Sequence, residues 1–124
     1  MAPLIAVVDD DVSVRKSLDR LIRSVRLGVK VFASAEEFLN CSPPVEPDCL
    51  ILDVNLPGMS GIELHRHLLA RKYNVPIIFI TAHGSDERAR LEAASDWTVA
   101  YLIKPFGDEL LEAVNVALKR PSAG

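Results

Sequence analysis

Residues 4–25 read LIAVVDDDVSVRKSLDRLIRSV, and two hydrophobic periods meet inside them. Leu4 to Val8 is an unbroken apolar run of strand length. Such a run has no polar face, so it predicts a strand covered on both sides. Three aspartates, Asp9, Asp10 and Asp11, follow at once. Val14, Leu18, Leu21, Ile22 and Val25 then recur at i, i+4, i+7, i+8 and i+11, one stripe along a helix. A buried strand that ends on acids and turns into an amphipathic helix is the repeating unit of a parallel sheet.

The alternation continues along the chain. Gly28 stands where a helix C-terminal glycine belongs, and Val29 to Phe32 forms a second strand pattern. Ser34 with Glu37 makes a capping box ahead of Phe38 and Leu39. Pro43, Pro44 and Pro47 break the chain before a third strand, Cys49 to Leu52, which ends at Asp53. Ser60 and Glu63 repeat the capping pattern and open a helix through Leu64, Leu68 and Leu69. Pro76 precedes the strand Ile77 to Ile80, and a helix is expected from about Ser85 to Ser95. Val99 to Ile103 is the fifth strand; Leu110, Leu111, Val114, Ala117 and Leu118 stripe the last helix. Five alternations with right-handed crossovers imply an α/β fold: a doubly wound five-stranded parallel sheet with helices on both faces. Residues 1–120 are expected to form this single domain. Lys119 and Arg120 suit a helix C-terminus, and residues 121–124 read as a tail or truncated linker.

The 124 residues carry 14 basic and 17 acidic side chains, a net charge of −3, with no basic block. That argues against a nucleic-acid surface on this segment. Cys41 and Cys49 have neither metal-ligand spacing nor the density of a disulfide framework. The N-terminus lacks a charged leader, and no apolar run approaches the ~20 residues of a membrane span. The expectation is a soluble, cytoplasmic protein.

In an open parallel sheet, ligands bind at the carboxyl ends of the strands, so what stands there is informative. The first strand ends in Asp9, Asp10 and Asp11, the third in Asp53, the fourth in Thr81 and the fifth in Lys104. Like charges at ~4 Å repel by on the order of 4 kcal/mol at an intermediate dielectric. A divalent cation or raised pKa values would relieve this. All-oxygen donors with room for water and phosphate suit Mg²⁺. With Lys104 supplying an ammonium and Thr81 a hydroxyl, the rim could hold a phosphoryl group beside a carboxylate nucleophile. Asp11 is expected to cap the first helix. His65 and His67 lie two apart on a helix, share no face and are read as solvated surface. Gly58 and Gly61 fit no phosphate loop and are read as turn and helix-entry residues.

Val8-Asp9-Asp10-Asp11, the run from Asp53 to Gly61, Thr81-Ala82 and Lys104-Pro105-Phe106 together resemble the receiver domain of bacterial two-component response regulators. The likeness runs from about Leu4 to Leu118 and implies the flavodoxin-like (βα)5 arrangement. By that resemblance Asp53 would accept a phosphoryl group from the phosphohistidine of a sensor histidine kinase, with Mg²⁺ (or Mn²⁺) alongside. Asp10 would bind the metal directly, Asp9 through a water, and Asn55 through its backbone carbonyl. Thr81 and Lys104 would each hold a phosphate oxygen, Ala82 would leave room for it, and Tyr101 would swing inward as Thr81 moves. The Lys104-Pro105 bond would be cis, and His83 would border the phosphate pocket. The face of fourth helix, fifth strand and fifth helix would change on phosphorylation, and a homodimer through that face and a missing C-terminal output domain of LuxR type are further partners it suggests. The domain would be a signalling acceptor with slow self-dephosphorylation, not a turnover enzyme.

Two positions depart from the pattern. Receivers commonly carry Gly-Ala seven and six residues before the lysine; here Trp97 and Thr98 stand there. The fourth helix is also thinly apolar, with Leu91 its one large aliphatic residue, so weak anchoring is expected. Three rival classes remain: an aspartate-nucleophile phosphatase, which would place an acid where Asn55 stands; a flavin or nucleotide carrier, which would need a phosphate-cradling first loop; and a receiver-shaped module that is never phosphorylated.

Overall fold

The computed structural model describes residues 2–82 and 87–119. Ten elements alternate: β1 (Leu4–Val8), α1 (Val12–Ser24), β2 (Gly28–Phe32), α2 (Ala35–Leu39), β3 (Cys49–Asp53), α3 (Gly61–Ala70), β4 (Ile77–Thr81), α4 (Glu87–Ala93), β5 (Thr98–Ile103) and α5 (Glu109–Lys119). Ser85, His83 and the tail from Arg120 lie outside the described residues, as does the side chain of Leu91. No described helix is long and apolar enough to cross a membrane.

The five strands form one parallel sheet in the order β2-β1-β3-β4-β5. The chain steps from β1 to β2 in one direction, then returns past β1 and continues through β3, β4 and β5. With right-handed crossovers, that reversal sends α1 and α5 to one face and α2, α3 and α4 to the other. The strands divide their side chains accordingly, because alternate residues point to opposite faces. Ile5, Val7, Ile51, Ile78 and Ile80 pack with Leu18, Ile22, Leu110 and Val114. Ala6, Val8, Leu50, Leu52 and Phe79 pack with Phe38, Ile62, Leu64 and Leu68. This two-sided burial is why β1, β3 and β4 read as unbroken apolar runs.

Local signals behave as expected at the helix starts. Asp11 Oδ1 accepts the Ser13 N–H, and Ser34 and Ser60 Oγ accept those of Glu37 and Glu63. The end of α1 differs from expectation. Gly28 does not terminate it but begins β2; the left-handed position is Arg26, at φ 65°. The Leu27 N–H bonds to the Ile22 carbonyl and the Arg26 N–H to that of Arg23, a Schellman ending with a charged residue where glycine is favoured. Lys72, at φ 58°, ends α3 in the same way. The Lys104-Pro105 bond is cis, as is Ser42-Pro43.

Candidate functional site

The reversal of strand order between β1 and β3 opens a crevice at their carboxyl ends, and the acids stand there. Oxygens of Asp9, Asp10 and Asp53 lie within 4.8 Å of one another. Asp9 and Asp53 are buried, while Asp10 is exposed. Lys104 arrives from the end of β5 and places its Nζ 2.8 Å from Asp9 Oδ2 and 3.2 Å from Asp53 Oδ2. Residues at positions 9, 53 and 104 thus meet because three parallel strands end at one rim.

Each buried carboxylate is held from several sides. Asp9 Oδ1 accepts the Asp11 N–H at 2.8 Å, and its backbone carbonyl accepts Nη1 of Arg15 at 2.8 Å. Its Oδ2 has the lysine ammonium as ionic neighbour but no directed hydrogen bond. Asp53 Oδ1 accepts the Asn55 N–H at 2.9 Å, while Lys104 donates to Oδ2. Gly61 lets α3 approach: a Cβ there would stand 2.1 Å from the Asp53 carbonyl oxygen. Gly58, at φ 73°, turns the intervening loop, and the Glu36 carboxylate accepts the Met59 N–H at 3.0 Å.

Burial pushes the Asp9 carboxyl above its ordinary pKa; Lys104 and the Asp11 N–H oppose this, and the neighbouring Asp53 charge reinforces it. Lys104 is held above its usual value although burial works the other way, because Asp9 and Asp53 favour the ammonium. Three carboxylates facing one ammonium leave an excess of negative charge. Two buried carboxylates beside a third, with their oxygens within 4.8 Å of one another, fit a hard divalent cation with oxygen ligands.

Thr81, 1% exposed, ends β4, and its Oγ1 accepts Nδ2 of Asn55 at 3.1 Å. Ala82, next in line, is exposed. Tyr101 does not join this rim. It packs beside Phe79, ring centroids 6.2 Å apart, with the Arg90 guanidinium 5.9 Å from its own ring centroid. Sequence reasoning did not identify Arg15, the side-chain role of Asn55, or Glu36. Only Arg15 left a signal, one helical turn beyond the capping Asp11. The surface expectation for His65 is overturned: it is 2% exposed, set edge-on against Phe79 and bonded to Ser95. α3 turns position 65 inward between the sheet and the α4–β5 turn.

The response regulator receiver domain family matches residues 5–115. Nodulation protein W of Bradyrhizobium diazoefficiens is 46% identical over 118 residues, covering 94% of this chain and 52% of that protein. Response regulator protein TmoT of Ectopseudomonas mendocina is 43% identical over 117 residues, covering 94% and 53%. The crystal structure of FixJ-N superimposes with a TM-score of 0.86 at 38% identity, covering 100% of this chain and 99% of that one. The chain spans about half the length of the curated relatives it matches.

Proposed function

Because this chain belongs to the response regulator receiver domain family, we propose that it accepts a phosphoryl group on Asp53 from the phosphohistidine of a sensor histidine kinase. One observation carries the assignment: three carboxylates converge within 4.8 Å, and a single ammonium bridges two of them. In the transfer, an Asp53 oxygen attacks phosphorus, the bond from phosphorus to the donor's imidazole nitrogen breaks, and its electron pair leaves with the imidazole. An acyl phosphate forms on Asp53. Asp10, Asp53 and the Asn55 carbonyl would hold Mg²⁺ or Mn²⁺, with Asp9 acting through a water. The cation supplies charge stabilisation for the phosphoryl oxygens.

Lys104 stays protonated between its two acids and is placed to bind a phosphate oxygen. Thr81 would give up the Asn55 amide to bind another, and Ala82 leaves space beside it. A groove of about 510 Å³ runs from Lys104 past Phe106 to Asp11 and Val14 of α1, a route by which a donor could approach. Movement of Thr81 would draw in Tyr101 and change the α4–β5–α5 face, through which two copies could pair. The domain is then a cytoplasmic signalling acceptor with slow self-dephosphorylation. In this reading residues 1–120 are the receiver and residues 121–124 a tail or truncated linker. The Asn55 side chain, turned to Thr81, is no general acid, which disfavours the phosphatase alternative.

The test is labelling with acetyl phosphate. The native chain should label in Mg²⁺ and lose labelling in chelator, and Asp53→Asn should abolish it. Undiminished label on Asp53→Asn would overturn the acceptor assignment, and unchanged kinetics in chelator the metal site.

A further inference from the structure

Away from the acidic rim, a second polar cluster, with His65 buried and Ser95 and Thr98 half-buried, lies between α3, the α4–β5 turn and β5. The Thr98 hydroxyl donates to the carbonyl of Ala93, the last residue of α4, at 2.6 Å. Its one proton is therefore committed, and in its 3.3 Å contact with Ser95 Oγ it accepts. Ser95 then spends its own proton on Thr98 and accepts twice, from the Trp97 N–H at 3.1 Å and from His65 Nε2 at 2.8 Å. This order puts the His65 proton on Nε2. Nδ1, buried and without a hydrogen-bond partner among the described residues, carries only a lone pair. The opposite tautomer would bury an N–H with no acceptor, which costs more. A directed chain thus runs from His65 on α3 through Ser95 and Thr98 to the C-terminal carbonyl of α4.

Among the described side chains of α4, Ala93 alone is fully buried; Ala89 packs against the same core and the Arg90 guanidinium lies over the Tyr101 ring. An ion pair of Arg66 with Glu92 at 3.7 Å, between solvent-facing side chains, also joins α3 to α4, a kind that contributes little. The chain from His65 is better shielded from water than that ion pair, since His65 is buried and Ser95 and Thr98 are half-buried, and its members polarise one another. The same imidazole lies edge-on to Phe79, centroids 5.5 Å apart, and Phe79 packs on Tyr101. His65 therefore touches both the anchor of α4 and the ring beside Tyr101. Thr98 stands at one of the two positions where the sequence departs from the family pattern.

We propose that the His65–Ser95–Thr98 chain is a latch that fixes the C-terminal end of α4 against α3 and sets how readily the α4–β5 face rearranges. Its link to phosphorylation rests on the acceptor reading of Asp53; its mechanical part does not. Amide hydrogen exchange of the unphosphorylated chain tests the mechanical part with His65→Phe, which keeps an aromatic ring beside Phe79, and with Ser95→Ala. Each should speed exchange over residues 87–98 by about five- to tenfold, the worth of one hydrogen bond, and leave residues 49–53 unchanged. The double variant should be no faster than the singles, since either break opens the same chain. His65→Gln, whose amide can replace the Nε2–H, should restore protection. Uniform acceleration across the domain, or none over residues 87–98, would overturn the latch; if His65→Phe does not fold, Ser95→Ala alone decides. A second readout is acetyl phosphate labelling, expected to quicken several-fold in Ser95→Ala because a looser α4 favours the rearranged state. If labelling persists in Asp53→Asn, the acceptor reading fails while the exchange result still judges the latch.

Discussion

Strands β3 and β5 lie two apart in one sheet and are held differently. Every residue of β3, from Cys49 to Asp53, is buried, whereas no residue of β5 is, and Ile103 is 50% exposed. β3 is central, flanked by β1 and β4 and covered by helices on both faces. β5 is an edge strand with a partner on one side only. The carboxylate proposed to be phosphorylated therefore sits on a fully buried strand, and the face proposed to report it on a more exposed one. A reaction that needs tightly placed atoms benefits from the first arrangement. A switch needs two states within a few kcal/mol, which fewer buried contacts favour.

Truncation of matched side chains should expose this contrast most strongly. Ile51→Ala in β3 should cost about 2–5 kcal/mol in denaturant unfolding, as buried isoleucines do. Leu102→Ala in β5, only partly buried, should cost about half as much; equal losses would erase the distinction. Next in size is Gly61→Ala, whose new methyl would meet the Asp53 carbonyl oxygen at 2.1 Å. It should lower stability by about 2–3 kcal/mol and slow acetyl phosphate labelling, because the clash lies at the acceptor itself.

A smaller effect concerns the looser side. Burial pushes His65 below its usual pKa of 6.5, so the unfolded chain binds more protons than the folded one just under that value. His65 thus favours the fold above about pH 6.5, and that contribution is lost on acidification. His65→Phe should flatten the fall in melting temperature between about pH 7 and 5, and an unchanged slope would mean the imidazole is not held neutral. The smallest change has the opposite sign. Arg26→Gly and Lys72→Gly should each stabilise the fold by roughly 0.5–1 kcal/mol, by relieving the left-handed backbone at those helix ends.

The sheet was legible in the sequence because parallel strands covered on both faces leave contiguous apolar runs, and the acids, Thr81 and Lys104 follow those runs directly. Strand ends were legible to within one residue: β2 and β5 begin one earlier than their apolar patterns, at Gly28 and Thr98, and β3 and β4 run one later, to Asp53 and Thr81. His65 was misread because periodicity reports which helix face a residue takes, not which neighbour covers that face. The ties of Arg15 to the Asp9 carbonyl and of Asn55 to Thr81 join groups whose approach depends on how α1 and the β3–α3 loop settle.

Order along the chain, then, determined the sheet and which side chains stand at its rim, because strand burial and strand ends are properties of neighbouring residues. The tertiary structure alone decided that Lys104 lies between Asp9 and Asp53, that a histidine of α3 is buried against Phe79 of the fourth strand, and that Arg26 rather than a glycine takes the left-handed turn. Those outcomes follow from distances between elements, and contacts across such distances have no period that a linear sequence can display.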